Sequence, residues 1–450
     1  MLNDNILTQE ELRLTKRCLE LALEKGAQKA RVTANKSIMD LVGTLDGEID
    51  KVTHCLDRSV NICLFIDGRY GSYATNRFDE DELGPFLDRA IGMTLMLAED
   101  ACRDLPAPER LAKDAVTGLE LDLYDSSYEN VSPELRKRLA LDASIFSKSK
   151  GENWNIVSEE AEYSDSIFDT YVIDSQGLEC RHIETSFEYG VEMTIEDSDG
   201  NKLSGYWWDG TPLLKDLDIN GCCPRALERA VALLNPRRHR GGKFNMVIDS
   251  EVASKMVSPV LRALNSYSLQ QNNSFLRDSI GKKLFPEGLT IIDRCRNHGE
   301  TGSRLFDSEG VATKESPIIE NGVVKEYFIN TYMSAKMEME PTIEEAIRPK
   351  VMPFPANGLK LDDILKMCGE GIYITDFNGG NSNSSTGDFS YGIEGFAFKG
   401  GKITHPVREM VVTGNLLDVW SRLIACGDDA RPCMSKLIPT LAFADVDFSA

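Results

Sequence analysis

The sequence predicts an α+β protein: an N-terminal region of two helix–antiparallel-sheet–helix units, then a β-rich, partly barrel-like C-terminal domain. Three observations carry this. Helical and strand-like periodicities occur in the same order twice before residue 237. Asp67-Gly68 and Asp199-Gly200 supply tight turns between strand-like segments. Beyond Gly241-Gly242, strand-like segments outnumber helical ones and glycine turns separate them. A chain of 450 residues suggests two or three domains, and the expected divisions are 1–103, 104–236 and 237–450.

Each element has a local reason. Thr8 and Glu11 form a capping box, Leu12, Leu14, Cys18, Leu21 and Ala22 supply apolar positions, and Gly26 can end the helix. Val60, Ile62, Leu64 and Ile66 then alternate with other residues as a strand. A helix is predicted over 79–99, carrying Leu83, Leu87, Ile91, Leu95 and Leu97. Asp104-Leu105-Pro106-Ala107-Pro108 reads as the linker between units. The second unit opens with a helix over 133–148, bearing Leu135, Leu139, Ala143 and Phe146. Strands are expected over 166–173, 178–185, 189–195 and 203–208, and a helix over 224–234, stopped by Asn235-Pro236.

In the C-terminal domain, a strand over 244–249 leads into a helix over 251–264 with apolar Val252, Met256, Val260 and Leu264. A hairpin is predicted over 318–329 around Asn321-Gly322. Strands follow over 372–377, 396–398 and 407–412, with 416–425 as a closing helix. The stretch Arg348-Pro349-Lys350-Val351-Met352-Pro353-Phe354-Pro355 cannot continue a helix and favours extended backbone. It reads as a connector, a dimer arm or part of a groove wall.

Charge and cysteine usage narrow the function classes. Asp and Glu outnumber Lys and Arg by 72 to 50, a formal net charge of −22. Gripping DNA requires a basic face, and the only basic knot, Arg237-Arg238-His239-Arg240 with Lys243, falls at a domain boundary. Direct nucleic-acid binding is therefore disfavoured. The eleven cysteines are scattered and imply no disulfide framework. The N-terminal residues lack a secretion signal, and no run is apolar enough to span a bilayer, so a cytoplasmic protein without membrane attachment is expected.

The most specific wording is Ser384-Ser385-Thr386-Gly387-Asp388-Phe389-Ser390-Tyr391-Gly392-Ile393-Glu394-Gly395-Phe396, after Gly379-Gly380-Asn381-Ser382-Asn383. With Gly302-Ser303-Arg304-Leu305-Phe306-Asp307-Ser308-Glu309-Gly310 upstream and Thr413-Gly414-Asn415-Leu416-Leu417-Asp418 downstream, it resembles the TldD/PmbA family. Members were named as modulators of DNA gyrase and are understood as metallopeptidases of small or unfolded peptides. Catalytic members carry His-Glu-x-x-x-His, which sets two imidazoles on one helical face for zinc. Here His54, His182, His239, His298 and His405 are dispersed and none precedes a glutamate. The corresponding helix reads Ser258-Pro259-Val260-Leu261-Arg262-Ala263-Leu264-Asn265.

That departure, with Ser268-Leu269-Gln270-Gln271-Asn272-Asn273-Ser274-Phe275-Leu276 and 281–291, is similar to the PmbA or TldE branch. The resemblance implies no catalytic residue and no metal in this chain, with zinc in a TldD-like partner. It implies a dimer, homotypic or mixed, and an extended peptide as substrate.

Other metal or nucleophile arrangements read poorly. Cys295 and His298 lack a second ligand cluster, and His54-Cys55 point to opposite faces of a strand. His182 and Glu184 read as a surface pair across one strand face. The groove candidates are Asn383, Thr386, Gly387, Asp388, Phe389, Ser390, Gly392, Gly395 and Arg408. An extended substrate can add to a sheet edge there, its main chain approaching the glycines. Asp388 serves either substrate or its own loop, and Arg408 either a carboxylate ligand or an ion pair within the assembly. Two rival readings stay open: a stand-alone peptidase with an unassembled site, and a regulatory protein that binds DNA gyrase.

Overall fold

The computed structural model describes residues 4–77, 79–146 and 151–450. The chain divides into two compact units: residues 1–231 with 296–313 and 334–338, and residues 232–295 with 314–333 and 339–450.

The first unit repeats helix, three strands, helix. Helix α1 (Gln9–Glu24) has the expected capping box, with Glu11 N donating to Thr8 Oγ1 at 3.2 Å and Thr8 N to Glu11 Oε2 at 2.8 Å. Strands β1 (Lys29–Leu45), β2 (Glu48–Ile66) and β3 (Arg69–Thr75) and helix α2 (Glu80–Thr94) follow. Helix α3 (Pro133–Asp142), strands β4 (Trp154–Asp174), β5 (Glu179–Asp197) and β6 (Lys202–Thr211) and helix α4 (Ile219–Ala232) repeat the order. The two triplets join through β1 and β4, giving one antiparallel sheet in the order β3-β2-β1-β4-β5-β6.

Strand alternation puts apolar residues on the face the helices cover. Leu14, Cys18, Leu83 and Leu87 pack on Val32, Ala34, Ile62 and Leu64, while Ala140, Cys223 and Ala226 pack on Tyr163, Tyr189 and Met193. At the seam, Arg136 of α3 donates Nε and Nη2 to Asp165 of β4 at 2.7 and 2.8 Å, and reaches Asp40 of β1 at 3.1 Å.

Several boundaries differ from expectation. The helix expected over 79–99 ends at Thr94, and Leu95 and Leu97 are exposed. The one over 133–148 ends at Asp142, and residues 147–150 lie outside the described residues. Segments 178–185 and 189–195 are one strand, because buried Phe187 between exposed-face Ser186 and Glu188 carries the alternation through. Helix α4 starts at Ile219 with Pro224 inside it; burial of Cys222 and Cys223 against the sheet holds the turn before the proline.

The remaining elements, in chain order, are β7 (Gly242–Ile248), α5 (Ser254–Ala263), α6 (Ser266–Gln270), β8 (Ile291–Asp293), β9 (Ser316–Glu320), β10 (Val323–Val324), α7 (Thr331–Met337), β11 (Pro349–Val351), α8 (Leu361–Cys368), β12 (Glu370–Ser382), β13 (Asp388–Lys399), β14 (Lys402–Asn415), α9 (Leu416–Trp420), β15 (Leu423–Cys426) and β16 (Leu441–Ser449). One sheet runs β14-β13-β12-β7-β16-β15, and a further β14–β16 pairing closes β7, β12, β13, β14 and β16 into a five-stranded barrel. A smaller sheet runs β10-β9-β8-β11.

The expected closing helix over 416–425 stops at Trp420, whose fully buried ring meets Phe443 edge-on at 5.0 Å. The residues after it join the sheet instead, Leu423 opposite Phe443 and Cys426 opposite Leu441. The proline-rich stretch is extended but is no free arm. Pro349–Val351 pairs with β8, Arg348 is fully buried, and Phe354 exchanges two main-chain hydrogen bonds with Cys426 at 2.9 Å.

Candidate functional site

Helix α5 buries Met256, Val257, Val260, Leu261 and Ala263. Three- and four-residue spacing leaves Lys255, Ser258, Pro259 and Arg262 along the opposite face. Lys255 Nζ lies 4.7 Å from the centroid of the Tyr391 ring and 6.0 Å from that of Phe377. Phe377 meets Tyr391 edge-on at 5.5 Å, and Phe389 stacks on Tyr391 at 5.1 Å. Burial pushes the pKa of the Tyr391 hydroxyl up, against the smaller downward pull of a Ser382 hydrogen bond and the Arg262 charge. This face therefore combines two cations with an aromatic wall.

Beside it stands the β12–β13 hairpin with its loop at 383–387. Asn383 Oδ1 accepts from Ser385 N at 2.9 Å, and Gly387 N donates to Asn383 O at 2.8 Å. Asp388 accepts from Thr386 Oγ1 at 2.7 Å and from Asn415 Nδ2 at 2.9 Å. The Asn415 bond, then the Thr386 bond, hold the exposed Asp388 carboxyl below its ordinary range. Asn415 also donates to Thr386 O at 2.8 Å and caps α9 through Leu417 N at 3.1 Å. Ser385 Oγ donates to Asn273 Oδ1 at 2.5 Å. The conspicuous polar residues of both motifs thus bind one another.

The glycines are committed in the same way. A Cβ on Gly395 would lie 2.0 Å from Tyr373 O, and one on Gly392 would lie 2.3 Å from Asn378 Oδ1. Both adjoin register shifts in the β12–β13 ladder, where the strands approach closely. Gly387 has φ +81°, with the Phe275 ring 3.3 Å from where a Cβ would be. Phe389 points into the core, whereas Ser390 and Asp388 face solvent. Arg408 is exposed on a bulge of β14, and among the described residues it makes no ion pair; its neighbour Glu409 pairs with Arg238 at 3.0 Å.

Two of the five histidines meet, and the other three stand apart with carboxylate partners. His54 Nδ1 is 2.9 Å from Asp40, and His298 Nδ1 is 2.9 Å from Asp122. The rings of His239 and His405 stack at 5.9 Å. His182 is a correction to the sequence reading: it is buried, 3.2 Å from Glu184 and edge-on to Phe306 at 6.5 Å, so the pair is no surface feature. Burial works against the Glu184 charge, but His182 and Arg304 outweigh it and hold its carboxyl below the usual range. The cover over β5 comes from the Gly302–Gly310 motif, in which Asp307 Oδ1 ties the turn by accepting from Glu309 N and Val311 N at 3.0 Å each.

Among the described residues, no group of three or more His, Cys, Asp or Glu side chains could hold a metal. On α5 itself the outward residues are two cations, a hydroxyl and a proline, a set that does not fit zinc. The sequence reading does not single out Lys255, Arg262, Phe377 or Tyr391, which the structure brings together here. The Lys255/Arg262 spacing was visible there, but the rings beside Lys255 arrive from strands more than a hundred residues later.

Barrel, paired N-terminal strand triplets and site motifs together define a metallopeptidase family, and the chain belongs to it. The PmbA/TldA metallopeptidase C-terminal domain matches residues 241–450, and the central domain of the same family matches 127–234. The chain is 26% identical to the metalloprotease PmbA of Escherichia coli O157:H7, over 95% of this chain and 94% of that one. A crystal structure from Bacteroides thetaiotaomicron, named as a candidate modulator of DNA gyrase, is 36% identical with a TM-score of 0.93, covering 99% of this chain and 100% of that one. TldE from Thermococcus kodakarensis shares the fold, with a TM-score of 0.82 at 16% identity over 97% and 100% of the two chains. No helix among the described residues is long and apolar enough to cross a membrane.

Proposed function

We propose that this chain is the TldE-like, non-zinc component of a metallopeptidase acting on small or unfolded peptides. It supplies binding surface, and a TldD-like subunit supplies zinc and the general base. One observation carries the reading: the helix face that holds imidazoles in catalytic members presents Lys255, Ser258, Pro259 and Arg262 here. Cations at this place can hold the carboxylates of a peptide, and the half-buried Phe377 ring, packed on buried Tyr391, offers apolar contact. The exposed row of Asp388 and Ser390 lies on the same hairpin.

The test is purification of this chain alone and with a TldD-like zinc subunit, followed by metal analysis and peptide cleavage. The expected result is no stoichiometric zinc and no cleavage by this chain alone, with cleavage by the mixture exceeding that of the partner alone. Chelator-sensitive cleavage by this chain alone would overturn the proposal in favour of a stand-alone peptidase. Salt-sensitive binding to DNA gyrase without any peptide cleavage would overturn it in favour of a regulatory role.

A further inference from the structure

One basic knot, Arg237-Arg238-His239-Arg240 with Lys243, stands out in a chain of net charge −22, and the α5 site makes no use of it. Packing holds it against the barrel. Arg237 N donates to Pro406 O at 3.0 Å, and Arg237 forms a parallel bridge with Val407 of β14. The His239 ring stacks on His405 at 5.9 Å, with 25° between the planes, and meets Phe244 edge-on at 4.9 Å. His239 Nδ1 donates to Arg240 O at 3.1 Å. The backbone that carries the cations is thereby fixed, so a ligand has only side chains left to order. Arg408 joins the knot from β14, one residue beyond the bridge, and all five cations are exposed. Two carboxylates answer them: Glu409 pairs with Arg238 at 3.0 Å, and Asp447 approaches Lys243 at 3.9 Å. Among the described residues, Arg237, Arg240 and Arg408 make no ion pair.

We propose that this patch binds a short phosphate chain, of the kind carried by a nucleoside triphosphate or by inorganic tripolyphosphate. Guanidinium forks match pairs of phosphate oxygens, which is why arginine is the favoured side chain for this anion. A lone carboxylate fills one fork. Three guanidiniums without an internal partner call for a ligand that carries several charges close together. The field limits its length. At physiological ionic strength, exposed charges are screened beyond about 8 Å. A ligand confined to the patch therefore meets the local excess of cations. A long polyanion also meets the acidic remainder of the chain and is repelled by it. All of these residues lie in the second unit, and none belongs to the α5 face, so either proposal can fail without the other.

The experiment titrates sodium tripolyphosphate into the full chain by calorimetry, without divalent cations. Saturable binding is expected, with affinity falling about tenfold between about 50 mM and about 200 mM salt. Arg240→Gln and Arg408→Gln should each weaken it about tenfold, the worth of one charge-assisted hydrogen bond. The Lys255→Ala, Arg262→Ala double variant should leave it within about twofold, because those residues lie outside the patch. Melting curves confirm that each variant folds. Adenosine triphosphate separates the two sources: affinity no tighter than that of tripolyphosphate assigns the site to the phosphate chain alone, and tighter binding assigns it to a nucleotide. Absence of saturable binding at low salt overturns the proposal. So does binding that both arginine variants leave unchanged, which would place the anion elsewhere. Tighter binding of an acidic peptide or of duplex DNA than of tripolyphosphate overturns it as well, in favour of a macromolecular partner.

Discussion

Replacing Gly395 by alanine separates two uses of the glycines in β13, strand packing and room for a ligand. The new Cβ would lie 2.0 Å from Tyr373 O and 2.9 Å from Ile374 Cα, both backbone atoms of β12 that cannot swing aside. Relief requires the strands to part by roughly 1.5 Å, because ordinary contact begins at about 3.5 Å. Gly395 also adjoins a register shift toward β14, so the wedge strains both of its ladders. Loss of about two main-chain hydrogen bonds plus overpacking amounts to roughly 3–5 kcal/mol. In a unit of about 200 residues that corresponds to a melting drop on the order of 10 °C. The assay is urea unfolding followed by fluorescence, with the fully buried Trp420 reporting on the barrel. Gly84→Ala in α2 is the control: nothing lies within 4 Å of its Cβ, and a gain of about 0.5–1 kcal/mol is expected. If Gly395→Ala melts with the parent yet loses peptide binding, the packing argument is refuted and the glycine is keeping space for substrate.

Three further perturbations follow from the same structure. Arg136→Ala leaves Asp165 buried beside Asp40 without its cation, and urea titration should show a loss of about 3–5 kcal/mol, against a far smaller loss for exposed Arg225→Ala. Burial, then His239 and Arg237, lower the His405 pKa, so the folded state prefers it neutral. Its contribution is complete above the unfolded value of about 6.5 and is lost as pH falls through the lower folded value. Melting at pH 5 relative to pH 7.5 should therefore fall slightly less in His405→Gln than in the parent. Lys255→Ala and Arg262→Ala should leave melting within a degree or two yet weaken peptide binding by the mixed assembly about tenfold; unchanged binding in both would remove α5 from the site.

Legibility followed the range of the interactions. The capping box of α1 and the Asp67-Gly68 turn were readable because each involves residues within four positions of one another. Strand lengths were less so: His54 to Arg58 is exposed on both faces and gives no alternation, yet pairing with β1 keeps it a strand. Motif wording pointed to the β12–β13 hairpin, but the partners of its polar residues lie elsewhere in the chain. Asp388 answers to Asn415, and Ser385 to Asn273, so residues read as facing a substrate are partly engaged with their own unit.

What the sequence alone determined is the inventory: two runs of helix, strands and helix, an acidic surface, dispersed histidines, and family motifs whose helix lacks imidazoles. Those depend on spacing and residue type. Only the tertiary structure decided that the two strand triplets share one sheet, that a β14–β16 pairing closes the barrel, and that Lys255 sits against Tyr391 and Phe377. Each of these joins segments far apart along the chain. Their register is set by how complementary surfaces pack, which no local pattern encodes.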